Sequence, residues 1–276
     1  MNRQSLRERS GFFCRRLSQA SLMILLTAGC STLQNGHRWG EDVTLLPGSD
    51  RIESAASGAV REPATWIPAI GAVVFSIGKL DHRVSDWASE KTPIFGSVDR
   101  AGKASDTLDT AEGVGVFLTA VAAPSGSDPG GWVMSKAKGF AVEYAALGAT
   151  GAATRTIKGW VGRERPDESD NSSFPSGHSS HAFASAMLDQ RNVESLPISS
   201  PGKWMLDTAF YSLAVGTAWA RVEAKKHFPS DVMAGAALGS FISAFVHDAF
   251  MGLDQGTEMA VSIQPGKAVV ILRIDW

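Results

Sequence analysis

The apolar stretches of this chain are short, rich in small residues and repeatedly bounded by charge, which restricts what it can fold into. Pro63 to Gly78 is uncharged and stops at Lys79, and Gly113 to Ser127 is uncharged between Glu112 and Asp128. A helix that crosses a bilayer needs about 20 predominantly apolar residues, and both runs fall short of that. Two longer helical stretches, about Gly131 to Thr156 and about Lys203 to Arg221, contain Glu143 and Asp207. A last one, from near Pro229 to about Phe250, places Ala, Gly, Leu and Phe at helical spacing. The mean hydropathy is -0.02, low for a protein made of membrane spans. The expectation is therefore an all-α, water-soluble bundle of closely packed small-residue helices. Short tilted spans in a bilayer are the competing reading.

The two ends read differently from the middle. Arg3, Arg7, Arg9, Arg15 and Arg16 precede an uncharged run from Leu17 to Gly29, the layout of a secretory signal peptide. The run closes on Leu26-Thr27-Ala28-Gly29-Cys30, which resembles the bacterial lipoprotein cleavage box. Residues 1–29 are thus expected to be a lipoprotein-type signal peptide, with Cys30 the lipidated residue. Cys14 and Cys30 are the two cysteines, so the mature chain would hold one and could form no internal disulfide. Residues 30–61 are polar and without a sustained period, and are read as a tether with at most one short ordered piece. The helical domain is placed at 62–252. Within 253–276, Met259 to Ile263 and Ala268 to Ile274 are rich in β-branched residues and flank Gln264-Pro265-Gly266-Lys267, a β-hairpin pattern. A net charge of -2 excludes nucleic-acid binding through bulk charge.

Chemistry concentrates in three polar stretches between Lys158 and Asp231. Pro175-Ser176-Gly177-His178 precedes a helix-compatible segment, Ser179 to Leu188. Ser176 suits an N-cap, and the free N–H groups of a helix start attract an anion. Gly177 would let backbone approach it, and His178 would stand beside it. In the third stretch His227 and Asp231 are four apart around Pro229, so the carboxylate can reach back to the imidazole and fix its tautomer. Lys158 and Arg165 in the first stretch, with Arg221 in the third, supply a point charge and planar forks for phosphate oxygens. Taken singly, each of these residues has an ordinary structural explanation. Taken together the cations repel one another unless an anion lies among them.

The ordered pattern Lys-x6-Arg-Pro, Pro-Ser-Gly-His and Arg-x5-His-x3-Asp falls on Lys158, Arg165, Pro166, Pro175, Ser176, Gly177, His178, Arg221, His227 and Asp231. It resembles the type 2 phosphatidic acid phosphatase (PAP2) superfamily, which includes bacterial acid phosphatases and vanadium haloperoxidases. Ala220 stands where that family usually has Ser. The resemblance implies a helical bundle of the PAP2 type and a metal-independent phosphatase with no cofactor. It implies attack by His227 to give a phosphohistidine, with Asp231 orienting the ring and His178 as acid and then base. Lys158, Arg165, Ser176, Gly177 and Arg221 would hold the phosphate. The implied substrate is a phosphorylated lipid or a small phosphate ester, with a slight lean to the lipid. The N-terminal lipid would hold the protein in the cell envelope, with Ser31 favouring the periplasmic face of the outer membrane.

Three other readings compete. One is a vanadium-dependent haloperoxidase using the same cage. Another is a zinc hydrolase with His178, His181, His227 and Asp231 as ligands, which the crowd of cations opposes. The last is a non-catalytic phosphate-binding lipoprotein. His37, His82 and His247 lie outside every motif and read as structural or exposed. Trp160 and Phe174 are read either as an entrance for a lipid chain or as ordinary packing, with neither preferred.

Overall fold

The computed structural model describes residues 29–252 and the backbone of 257–264 and 267–274. Eight helices are found among the described residues. They are α1 Ser49–Arg61, α2 Pro63–Ser76, α3 Leu80–Lys91, α4 Val98–Ala122, α5 Pro129–Val161, α6 Gly177–Ser195, α7 Ser200–Glu223 and α8 Pro229–Phe250. The all-helical expectation holds over this region. Two extended backbone segments, Thr257–Gln264 and Lys267–Ile274, follow in antiparallel register. Their side chains and residues 265–266 lie outside the described residues, as do residues 1–28 of the expected signal peptide.

Helix boundaries follow local chemistry. Ser97, Asp128 and Ser176 each cap a helix by accepting from a backbone N–H in the first turn. Pro63, Pro129 and Pro229 occupy first-turn positions where no intrahelical N–H is needed. Gly162 ends α5 in the left-handed conformation, φ 56°, which a residue without Cβ adopts freely.

Helix α6 is the centre of the bundle, packed against α4, α5, α7 and α8. Its seam with α8 is so close that a Cβ on Gly239 would lie 2.0 Å from the Ser180 carbonyl oxygen. The small residues therefore allow near contact of two backbones, and this brings the start of α8 against the start of α6. Among the described helices, α8 alone is long and apolar enough to cross a membrane by length and composition, and half of its most apolar window is buried. Helices α2 and α3 would qualify only as a pair, bent by 96°.

The segment expected to be a tether is mostly ordered against the bundle. Trp39 is fully buried in a cluster with Ala120, Ala123, Val142 and Met251, and its backbone N–H donates to the Pro124 carbonyl at 2.6 Å. The Gly29 carbonyl accepts from the Trp132 indole at 3.0 Å and from the Ser125 N–H at 3.1 Å. Residues 49–61 form α1, with Ala55 and Ala59 buried. The reason is one large side chain: Trp39 takes enough apolar surface out of water to hold a polar segment down. Cys30 is exposed and free.

Candidate active site

The three polar stretches meet where the C-terminal end of α5, the N-terminus of α6 and the loop between α7 and α8 converge. The Ser176 N–H donates to the Asp231 carbonyl at 2.9 Å, which ties the second stretch to the third. Arg165 Nη1 donates to the Lys226 carbonyl at 3.1 Å and lies 3.3 Å from His227 Nε2, which ties the first to the third. Lys158 Nζ donates to the Ser172 carbonyl, and a Cβ on Gly177 would stand 4.0 Å from Lys158 Cε. Arg221 Nη1 donates to Ser105 Oγ at 3.2 Å, while its buried Nε has no partner among the described residues.

His227 is 2% exposed. Its Nδ1–H donates to the Ser173 carbonyl at 2.7 Å, which fixes the tautomer and leaves the lone pair on Nε2. Burial pushes its pKa well below the usual imidazole value, and Arg221, Lys158 and Arg165 push the same way. The ring is therefore neutral and nucleophilic at physiological pH. Lys158 is lowered to about 8, by burial first and then by Arg165. Arg221 is lowered by burial and Arg165. Such mutual strain among cations is relieved by an anion of suitable size.

Asp231 does not take the position expected of it. Its Oδ2 is 3.9 Å from His227 Nδ1, too far for a hydrogen bond. It instead accepts from Ser173 Oγ at 2.5 Å, from the Phe228 N–H at 2.8 Å and, through Oδ1, from Arg163 Nη1 at 2.7 Å. The carboxylate has been drawn into capping its own helix, and the carbonyl of Ser173 has taken the imidazole. Burial raises the Asp231 pKa against the pull of Ser173 and Arg163.

Arg163, between the two motif cations of the first stretch, is a second such hub. It bridges Asp231, Ser230 Oγ at 2.7 Å and Asp81 Oδ2 at 2.8 Å, and lies over the Phe228 ring at 4.1 Å. Asp81 in turn accepts from the Ser230 N–H at 2.8 Å. This frame holds the turn that carries His227.

His178 projects from the first turn of α6, but its Nε2 contacts Asp106 Oδ1 of α4 at 2.8 Å. One turn on, His181 Nδ1 contacts Asp109 Oδ1 at the same distance. Burial and then Arg221 lower the His178 pKa, with Asp109 and Asp106 opposing; the bond to Asp109 raises that of His181. Arg221 thus acts electrostatically on both His178 and His227. Asp106, Asp109, Ser173 and Asp81 were not among the residues singled out from sequence. Only their spacing relative to the folded partners reveals them. Among the described residues no cluster of three or more His, Cys, Asp or Glu is placed to hold a metal.

Residues 141–253 match the sequence profile of the PAP2 superfamily. Residues 141–253 are therefore a PAP2-superfamily segment of this chain. Over 81 residues the chain is 38% identical to a lipid A 1-phosphatase from Porphyromonas gingivalis, a match covering 29% of this chain and 17% of that relative. The matched stretch is thus less than a fifth of the relative's length. A solved transmembrane PAP2-type phosphatidylglycerolphosphate phosphatase from Bacillus subtilis is 23% identical, with a TM-score of 0.47, over 66% of this chain and 92% of that one. The PAP2 segment contains every residue of the three motifs, from Lys158 to Asp231.

Proposed function

We propose that the chain is a metal-independent phosphatase that hydrolyses a lipid-linked phosphomonoester or pyrophosphate through a phosphohistidine on His227. The observation that carries this is the buried, neutral His227, its tautomer held by the Ser173 carbonyl and its Nε2 facing the Arg165 guanidinium. In the first step Nε2 attacks phosphorus while the bond to the leaving oxygen breaks, and His178 gives that oxygen a proton. In the second step His178 takes a proton from water, the hydroxide attacks phosphorus, the N–P bond breaks, and inorganic phosphate leaves. Lys158, Arg165, Arg221, Ser176 Oγ and the Gly177 N–H hold the non-bridging oxygens and offset their charge through both steps. Asp231 and Arg163 position the His227 turn.

The likeness to a lipid A 1-phosphatase supports a phosphate carried on a lipid. Residues 1–29 as a lipoprotein-type signal, lipidation of Cys30, the outer-membrane location, the PAP2 domain limits of 62–252 and the C-terminal hairpin belong to the same proposal. The test is phosphate release by the full-length chain in detergent and EDTA, from phosphatidate, an isoprenyl pyrophosphate and p-nitrophenyl phosphate. Release that survives EDTA, is blocked by vanadate and is absent from His227→Ala supports the reading. Halide oxidation switched on by vanadate would replace it with the haloperoxidase.

A further inference from the structure

Beside the phosphate cage, but outside it, lies an apolar groove with a volume of about 380 Å³, which is open to the surface. Ala72 of α2, Ile157 of α5, Ala237 and Leu238 of α8, and Phe174 and Pro175 of the loop before α6 line it. That volume falls within the range of small-molecule sites. The α8 residues there repeat at helical spacing on a half-buried face, while the opposite face of α8 is packed on α6.

Two features identify what would fill the groove. First, its wall and the cage are built from the same four residues in succession. Ser173 holds His227, Phe174 and Pro175 face the groove, and Ser176 caps the helix that carries His178. A ligand whose phosphate lies in the cage would therefore meet hydrocarbon-lined space within a residue or two. Second, apolar side chains continue from the groove onto the surface. On α2, Ile70 and Val73 flank the lining residue Ala72 and are 55% and 64% exposed, and on α5 Trp160, one turn beyond Ile157, is 82% exposed. A small hydrophilic phosphate ester would use none of this, whereas an exposed apolar patch continuous with a pocket marks a site for apolar matter.

We infer that the groove between α2, α5 and α8 is the subsite for a hydrocarbon chain of the substrate, which enters across the exposed faces of Ile70, Val73 and Trp160. The inference rests on the phosphatase reading above. It assigns the chain to one side of the cage, the side of Phe174 and Pro175. Asp106 and Asp109 lie on the other, where α4 pairs with the histidines of α6.

The test compares wild type with Ala72→Phe and Ala237→Phe, which fill the groove from α2 and from α8. Substrates are long-chain phosphatidate in mixed micelles, its dibutyryl counterpart and p-nitrophenyl phosphate. Filling the groove should lower kcat/KM for the long-chain lipid by about tenfold or more and leave p-nitrophenyl phosphate turnover as in wild type. Should both variants lose fold by circular dichroism, wild type alone decides. Its kcat/KM then has to climb with chain length, and a flat series overturns the assignment. Equal long-chain rates in wild type and folded variants overturn it too, and point to an unrelated segment or a bilayer surface as occupant. If wild type releases no phosphate from any of the three, it is the phosphatase reading that has failed.

Discussion

Asp231 stands 3.9 Å from the imidazole it was expected to orient, yet the two are coupled through one intermediate residue. Ser173 donates its hydroxyl to Asp231 and accepts His227 Nδ1–H on its carbonyl. The carboxylate steadies the ring by steadying Ser173. Asp106 acts on His178 more directly, and its charge favours the imidazolium form. Replacing it with Asn removes that support, so the His178 pKa moves further down. In the proposed mechanism His178 is the acid and must be protonated to act, so the alkaline limb of the kcat profile of Asp106→Asn is expected at lower pH than in wild type. A pH–rate profile with p-nitrophenyl phosphate checks this, and an unmoved limb would assign Asp106 a purely structural role. His178→Ala, by contrast, should lose about 10²–10⁴-fold in kcat at every pH. Lys158, Arg165, Ser176, Gly177, Arg221 and His227 were legible in the sequence because each lies inside a short motif of fixed spacing. Asp106 and Asp81 were not, because their partners lie 72 and 149 residues away.

At the scale of elements, legibility followed charge. Helix α8 could be read directly from the uncharged run Val232 to Val246, which follows Pro229 and Asp231. Helix α3 and the first half of α4 could not, since Asp81, Arg83, Asp86 and Glu90, then Asp99 and Lys103, obscure any apolar period. Asp81 is nonetheless only 4% exposed, because Arg163 and Ser230 satisfy it across the bundle. Tertiary pairing here overrides local pattern. The α6–α8 seam shows the reverse, where a local choice of glycine dictates tertiary distance. Gly239→Val would drive a side chain into the Ser180 carbonyl, and the two backbones have to part. Overpacking of that kind costs about 1–3 kcal/mol, which urea denaturation measures directly. Activity should fall as well, since Ser180 lies two residues from His178 on the same helix.

At the scale of the whole molecule, the described interior holds several carboxyls whose burial outweighs every opposing charge, that of Lys136 on Glu143 included. Burial raises Glu112 to about 9 and Asp189 to about 8, and raises Glu143 well above its ordinary value. Thr119 donates to Asp189 at 2.7 Å and Asn192 to Glu143 at 2.6 Å, while both Glu112 oxygens lack partners among the described residues. These groups stay protonated in the fold but ionise on unfolding. For Glu112 the associated stability is complete below its unfolded value of 4.5 and is lost as pH rises towards about 9. Asp189 follows the same sign between 3.8 and about 8. The thermal midpoint should therefore decline steadily from mildly acidic to mildly alkaline buffer. Glu112→Gln, neutral in both states, should flatten that decline, and scanning calorimetry across the range would show whether it does.

The carbonyl of Gly29 bears on the proposed removal of residues 1–29. It is the acceptor for the Trp132 indole and the Ser125 amide, and it belongs to the very peptide bond that a signal peptidase would cut before Cys30. Cleavage would carry this acceptor away with the leader and leave two donors at the newly exposed end of the chain. Processing would then alter the packing on α5 as well as shorten the protein. Trp132 is placed to report it, as an indole whose emission differs between precursor and processed form.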